Sequence, residues 1–179
     1  MHVLLVSGSL RAGSTNGAVL TTAAELAAAP TTTERCHGLD RLPHFNPDHD
    51  TPPLDPAVAD LRAAVHRADA LLLCTPEYAG DLPGSFKNLL DWLIGDDDPR
   101  SVYGKPVAWI NASASGGAGT AHAALRTVLG YAHATIVDEA CAAVPVARAD
   151  VAEGRVTSAP QRIAIAGVLA ALGAFVAPG

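Results

Sequence analysis

The stretch HVLLVSGSLRAGSTN, residues 2–16, joins a short apolar run to a polar loop. Val3 to Val6 is a bounded apolar run that is β-branched at both ends, which predicts a buried β-strand. After the loop, apolar residues recur at helical spacing from Val19 to Ala27, which predicts an α-helix. The chain is therefore predicted to begin with a strand, a polar loop and a helix, the unit from which α/β sheets are built.

The polar loop indicates an anion ligand, because the amino end of the helix would direct free N–H groups and the positive end of its dipole toward it. It is neither of two familiar phosphate loops: GxGxxG needs a glycine two residues after Gly8, and GxxxxGK[ST] needs a lysine after Gly13. A plain turn capped by Ser14 would explain the glycines but would leave Arg11 unexplained. Phosphate binding and a structural turn both stay open from this loop alone.

Composition restricts the class of protein. A chain of 179 residues has the size of one domain, so a single domain over residues 1–179 is expected. Hydrophobic residues make up 49% of the chain but aromatic residues only 4%, which predicts a core of aliphatic and small side chains. The net charge of −6, without a cluster of Lys or Arg, argues against a nucleic-acid partner.

Cysteine usage and the chain termini favour a cytoplasmic protein. The three cysteines are far apart and lack CxxC spacing, which argues against a disulfide framework and a zinc site. The apolar run near the amino terminus is too short for a signal peptide. Residues 163–177 are apolar but shorter than the roughly 20 residues of a membrane span, so they predict a buried terminal helix and no membrane partner.

Strands and helices are predicted to alternate along the rest of the chain. Strands are expected within 31–40 and at 70–74, 107–110 and 135–137, and helices at 56–67, 82–93 and 118–130. Residues 39–56 contain five prolines, which predicts a long irregular loop. His37, His44 and His49 lack the spacing that fixes a metal site, so no metal is predicted. The alternation predicts a parallel sheet covered on both faces.

In such a sheet the ligand lies beyond the carboxyl ends of the strands, where the strand order reverses. Three loops are expected to meet there: GSLRAGSTN at 8–16, TPEYAGDLPG at 75–84 and NASASGGAGT at 111–120. The first would supply a phosphate end, Tyr78 an aromatic wall, and the glycines of the third a group of backbone N–H donors. A planar, phosphorylated ligand would suit this combination.

The segments GSLRAGSTN, TPEYAGDLPGSFKNLLDWL and KPVAWINASASGGAGTAHAALRTVL resemble the signature regions of the NADPH-dependent FMN reductase family, in order and in spacing. The resemblance runs from Val3 to about Val144. It implies a flavodoxin-like three-layer sandwich with a five-stranded parallel sheet, FMN as cofactor, NADPH or NADH as electron donor, and a homodimer or homotetramer. It also implies ping-pong transfer of hydride to FMN and then to a quinone, flavin, azo or similar small-molecule acceptor.

The resemblance also assigns site residues. Catalytic residues of the protein are not expected, because the flavin carries the chemistry. The residues implied to contact FMN are Ser9, Arg11, Ser14, Thr15 and Asn16 at the phosphate; Pro76, Glu77, Tyr78 and Ala79 along the isoalloxazine edge; and Ser113, Ser115, Gly116 and Gly117 on the pyrimidine side.

The chain departs from the family pattern in two places. Many members have PEYN followed by a small hydroxyl residue, where this chain has PEYAGD with Ala79 and Asp81. Many also have GTARAQ, where this chain has GTAHAA with His122 and Ala124. These departures leave open a degenerate, flavin-free binding or regulatory protein. A flavodoxin-like electron carrier is a further alternative, although the first loop lacks the TxTGxT pattern of flavodoxins.

Overall fold

The computed structural model describes residues 1–177. Five α-helices and eight β-strands follow one another along this part of the chain. The strands are β1 His2–Ser7, β2 Thr32–Arg35, β3 Ala70–Cys74, β4 Pro106–Asn111, β5 Thr135–Ile136, β6 Ala142–Ala143, β7 Val151–Ala152 and β8 Arg155–Val156. The helices are α1 Thr15–Leu26, α2 Pro56–Arg67, α3 Gly84–Ile94, α4 Gly119–Tyr131 and α5 Ala159–Val176.

The main sheet has the order β2-β1-β3-β4-β5, and every neighbouring pair in it is parallel. This confirms the predicted parallel sheet of five strands. The fifth position is divided: β5 pairs with Pro106 and Val107 of β4, whereas β6 pairs with Ile110 and Asn111. A 3-10 turn at Asp138–Ala140 separates the two short strands.

Helices cover both faces of the sheet, because successive strand residues point to opposite sides. Leu4 and Val6 belong to one apolar cluster, with buried residues of α2, α3 and α4. Val3 and Leu5 belong to the other cluster, with buried residues of α1 and α5. The predicted three-layer sandwich is therefore confirmed.

The irregular loop before α2 is held in place by hydrogen bonds and an ion pair that involve side chains. Its prolines keep it out of the β-sheet, so its polar groups need other partners. Arg62 of α2 pairs with Asp50 at 2.8 Å and donates to the carbonyl of Trp92. Trp92 Nε1 in turn donates to the carbonyl of Pro43 at 2.8 Å. These bonds fasten the loop to α2 and α3, whose buried Phe86 and Trp92 lie in the core.

Helix α5 differs from its prediction. Its existence is confirmed, but the expectation that it is buried is wrong: one stripe, Ile165, Val168, Leu169 and Leu172, faces the core. By length and composition α5 could cross a membrane, and 22% of that window is buried. In the fold it lies against α1 and the sheet as part of an outer layer. A helix in an outer layer buries a single stripe of side chains. Because residues 163–177 are apolar on every side, the sequence does not indicate which stripe is buried.

Candidate functional site

The carboxyl ends of β1, β3 and β4 surround a cavity of about 580 Å³. It lies where the strand order reverses, since β1 has β2 on one side and β3 on the other. The three predicted loops meet here. The lining residues are Arg11, Gly13, Thr15, Asn16, Thr75, Pro76, Glu77, Ala112, Ser113, Ala114, Ser115, Gly117, Ala118, Val146 and Arg148.

Gly8 allows the first loop to lie directly against the end of β3. Its N–H donates to the carbonyl of Cys74 at 2.9 Å. A Cβ atom at this position would lie 2.6 Å from Cβ of Thr75 and 3.0 Å from Cγ of Phe86. Only glycine fits between these atoms, so the approach of the two loops depends on it.

The amino end of α1 opens on the cavity. Ser14 caps the helix, because its Oγ accepts from N–H of Gly17 and its carbonyl accepts from N–H of Ala18, both at 3.0 Å. The N–H groups of Thr15 and Asn16 belong to the first turn of α1, where N–H groups have no hydrogen-bond partner within the helix. They and the helix dipole make this end of the cavity electropositive.

Three of the five residues predicted at the phosphate line the cavity: Arg11, Thr15 and Asn16. Asn16 Oδ1 accepts from Sγ of Cys74 at 3.2 Å, which leaves the Asn16 amide N–H groups available to a ligand. Ser9 and Ser14 line a neighbouring cavity on the β2 side of the loop. Oγ of Ser9 accepts from N–H of Arg11 at 3.3 Å, so Ser9 and Ser14 both shape the loop.

The loop after β3 contains a tight turn. Tyr78 and Asp81 exchange backbone hydrogen bonds of 3.0 and 3.1 Å, and Ala79 and Gly80 between them have φ of 52° and 79°. Two positive φ values define a type I′ turn, which favours Asn-Gly. The asparagine that the resemblance leads one to expect at position 79 would suit this conformation, and Ala79 adopts the left-handed conformation without that preference.

Of the predicted residues in this loop, Pro76 and Glu77 line the cavity, whereas Tyr78 and Ala79 are exposed outside its lining. Asp81 is also exposed, and its Oδ1 accepts from N–H of Leu82 at 2.6 Å. Its carboxylate therefore does not enter the cavity. The sequence alone could not settle this point.

Glu77 has a partner that the sequence did not reveal. Its Oε2 accepts from N–H of Ala121 at 3.1 Å, in the first turn of α4. A carboxylate is favourable at the amino end of a helix. The bond ties the β3 loop to α4 and keeps the negative charge of Glu77 at the helix end.

Asn111 builds the third loop. Its Oδ1 accepts from N–H of Ser113 at 3.1 Å, and its Nδ2 donates to the carbonyl of Gly117 at 2.9 Å. Gly116 and Ala118 have φ of 70° and 63°. One side chain thus closes a loop of left-handed residues, and such backbone strain is concentrated at functional sites.

The predicted residues of this loop are placed as follows. Ser113, Ser115 and Gly117 line the cavity, and Gly116 lies between them outside the lining. Sequence reasoning missed Asn111, although its position directly at the end of a strand and before the glycine-rich run was a usable signal. It also missed Thr75, Val146 and Arg148 among the lining residues.

His122, the second departure from the family pattern, lies outside the lining of the cavity. Its side chain is buried, with Nδ1 2.7 Å from the carbonyl of Ala118 and the ring centroid 6.2 Å from that of Trp109. Arg126 also lies over Trp109, at 5.1 Å, and pairs with Asp138. His122 is therefore a packing residue of α4.

The thiol pKa values of the three cysteines are raised, mainly by burial. Burial raises the pKa of Cys74 to about 12 and that of Cys36 to about 11, so both thiols stay protonated near neutral pH. Within residues 1–177 no three His, Cys, Asp or Glu side chains are grouped so that they could hold a metal ion.

The residues present fit FMN. Arg11, Thr15 and Asn16 offer a charged fork, a hydroxyl and an amide at a helix amino end, which is the donor set that phosphate esters prefer. The loop closed by Asn111 offers hydroxyl and backbone groups at the opposite wall. The cavity volume lies within the usual range for small-ligand sites.

Comparisons with known proteins agree with this fit. Residues 1–149 match the family described as NADPH-dependent FMN reductase. The chain is 39% identical over 123 residues to an NAD(P)H-dependent FMN reductase of Pseudomonas aeruginosa, a match covering 69% of this chain and 65% of that protein. It is 32% identical over 142 residues to a quinone reductase of Escherichia coli, covering 78% and 74%.

A solved structure resembles the fold closely. The flavoenzyme NAD(P)H:(acceptor) oxidoreductase FerB of Paracoccus denitrificans superposes with a TM-score of 0.81 at 28% identity, over 96% of this chain and 95% of that one. Fold, site and sequence comparisons therefore lead to one conclusion: the chain belongs to the NADPH-dependent FMN reductase family.

Proposed function

We propose that this protein is an FMN-dependent NAD(P)H oxidoreductase that reduces quinones, flavins, azo compounds or similar acceptors by a ping-pong mechanism. The observation that carries the proposal is the single cavity with Arg11, Thr15 and Asn16 at one wall and the Asn111-closed loop at the other. When bound there, FMN would supply hydride chemistry, accepting two electrons from the nicotinamide and passing them to the acceptor. The quinone reductase and FMN reductase relatives support this choice of reaction.

The residues at the amino end of α1 hold the phosphate in this proposal. Arg11 donates through its planar guanidinium, Thr15 through its hydroxyl and Asn16 through its amide, and the helix dipole adds to the field. Ser9 and Ser14 keep the loop in shape, the first through N–H of Arg11 and the second as the cap of α1.

The other loops orient the ring through their backbone. In this proposal Pro76, Glu77, Tyr78 and Ala79 lie along the isoalloxazine edge, the first two in the cavity lining and the last two in the exposed I′ turn beside it. Ser113, Ser115, Gly116 and Gly117 face the pyrimidine side, where backbone N–H donors favour the negative charge that develops on reduction. The protein therefore binds, orients and tunes, and no side chain is needed as nucleophile or general base.

We also propose that the protein works in the cytoplasm as a homodimer or homotetramer. The cysteines are all free thiols, which suits a reducing compartment. The exposed part of α3 is the candidate subunit contact, because Ile94 at its end is 46% exposed.

The proposal is tested by mixing the purified protein with FMN, removing unbound flavin and titrating with NADPH and then NADH without oxygen. Bleaching of the flavin absorbance by one equivalent of either nucleotide is expected. If FMN is retained but neither nucleotide reduces it, the reductase assignment is wrong and an electron carrier is favoured. If FMN is not retained, the assignment of a bound cofactor is wrong.

A further inference from the structure

Arg148 lies beyond the three motifs that indicate the flavin site, yet it lines the same cavity as Arg11. It belongs to the 3-10 turn Arg148–Asp150 that follows β6. Within residues 1–177 neither Arg11 nor Arg148 forms an ion pair with a carboxylate. Two arginines that form no ion pair with the described part of the protein thus border one cavity.

The chain around Arg148 is fastened on both sides. Before it, N–H of Val146 donates to the carbonyl of Ala112 at 3.3 Å, and the Val146 side chain is buried. After it, N–H of Val156 in the β7–β8 hairpin donates to Oγ1 of Thr22 in α1 at 2.8 Å. The segment that carries Arg148 therefore crosses from the end of β4 to α1.

The turn itself is also closed. N–H of Asp150 donates to the carbonyl of Ala147 at 3.0 Å, and Oδ2 of Asp150 accepts from N–H of Ala147 at 3.1 Å. The carbonyl of Asp150 accepts from N–H of Thr157 at 2.8 Å, which joins the turn to the hairpin. Arg148 therefore lies in a turn that hydrogen bonds already hold in place, so little backbone conformational entropy would be lost when its side chain binds a ligand.

We propose that Arg148 is a second phosphate-binding arginine, which holds the 5′-phosphate of FMN together with Arg11. A phosphate monoester carries a charge of about −1.5 to −2 at neutral pH, so one arginine leaves it incompletely neutralised. Glu77, the one carboxylate among the described lining residues, is bonded to the amino end of α4. This inference rests on the proposed function, because it names a further ligand of the same cofactor.

The test compares FMN with riboflavin, which has the same ring system without the phosphate. Dissociation constants are measured by quenching of flavin fluorescence for the wild type, R148A and R148K. Arg41→Ala is the matched control, since Arg41 is exposed and lies outside the lining of this cavity. This substitution removes one positive charge, as R148A does. For R148A we expect FMN to bind about 10- to 100-fold more weakly and riboflavin to bind as in the wild type. R148K should keep part of the FMN affinity, and R41A all of it.

Two results would overturn the inference. The first is unchanged FMN affinity in R148A; if the KM for NADPH is raised in that variant at the same time, the guanidinium is assigned to the nucleotide instead. The second is equal weakening of FMN and riboflavin binding, which would show a structural role only. If R148A does not fold, R148K and R148Q decide by the same two constants. Failure of the wild type to bind FMN would contradict the proposed function itself.

Discussion

The two ends of the cavity are built in different ways. The end proposed for the phosphate, here called the phosphate end, consists of Arg11, Thr15 and Asn16 and offers charged and polar side chains at the amino end of α1. The end proposed for the flavin ring, here called the ring end, consists of the β3 loop at 76–79 and the β4 loop at 113–117. It offers mainly backbone, shaped by a I′ turn and by Asn111. Side-chain charge at one end and backbone conformation at the other imply that substitutions at the two ends have different consequences.

Gly8 connects the two ends, and its replacement should have the largest effect. In G8A the new Cβ would collide with Thr75, so we expect the free energy of unfolding to fall by about 3 kcal/mol. Chemical denaturation measures it. Gly167→Ala is the control, because a Cβ at that helical position meets no atom within 4 Å, and it should stabilise by up to about 1 kcal/mol. A G8A protein as stable as the wild type would mean that the loops do not depend on this contact.

Arg11→Ala should weaken FMN binding by about 1.5–3 kcal/mol, or roughly 10- to 150-fold, because a charge-assisted hydrogen bond is lost. Riboflavin affinity should not change. Added salt should weaken FMN binding to the wild type and leave riboflavin binding unaffected, since only the phosphate is charged. Equal losses for both flavins would remove the distinction between the two ends.

Much of the fold could be predicted from the sequence, because its apolar runs are short and clearly bounded. The run at 70–74 became a strand buried on both faces, and the run at 107–110 another. The exposed side of α5 could not be predicted, because residues 163–177 contain no polar residue to mark it. The sequence also contains no local pattern that predicts the division of the fifth strand position into β5 and β6.

The candidate site was predictable to different degrees at its two ends. Arg11 stands out as a charged residue in a loop before a helix, so chemistry alone singled it out. The I′ turn at Ala79 carries no such mark, because alanine is not a turn residue. Arg148 follows the last motif and reaches the cavity only through the crossing from β4 to α1.

Ala79→Asn should stabilise the protein by about 0.5–1 kcal/mol, because asparagine tolerates positive φ better than alanine does. Ala79→Val should destabilise it by a similar amount or more, since β-branched residues are disfavoured there. Thermal unfolding of the two variants checks the opposite signs. If both substitutions shift stability in the same direction, the turn is not under the strain described.

The last and smallest expected effect concerns the reactivity of the Cys74 thiol, which lies beside Asn16. Burial places its pKa at about 12, above the usual value, so its thiolate fraction at pH 8 is lower than that of a free cysteine. Cys74 in the folded protein should therefore react very slowly with a thiol reagent at pH 8, and rapidly after denaturation. Rapid native labelling of Cys74, found by peptide mapping, would contradict its burial.

We propose that the phosphate end recognises FMN by charge and that the ring end holds the flavin by shape. Titration of the wild-type protein with FMN and with riboflavin tests it most directly. We expect riboflavin to bind and FMN to bind about 100-fold or more tightly, the difference that the phosphate contacts would contribute. Equal affinities for the two flavins would contradict the claim.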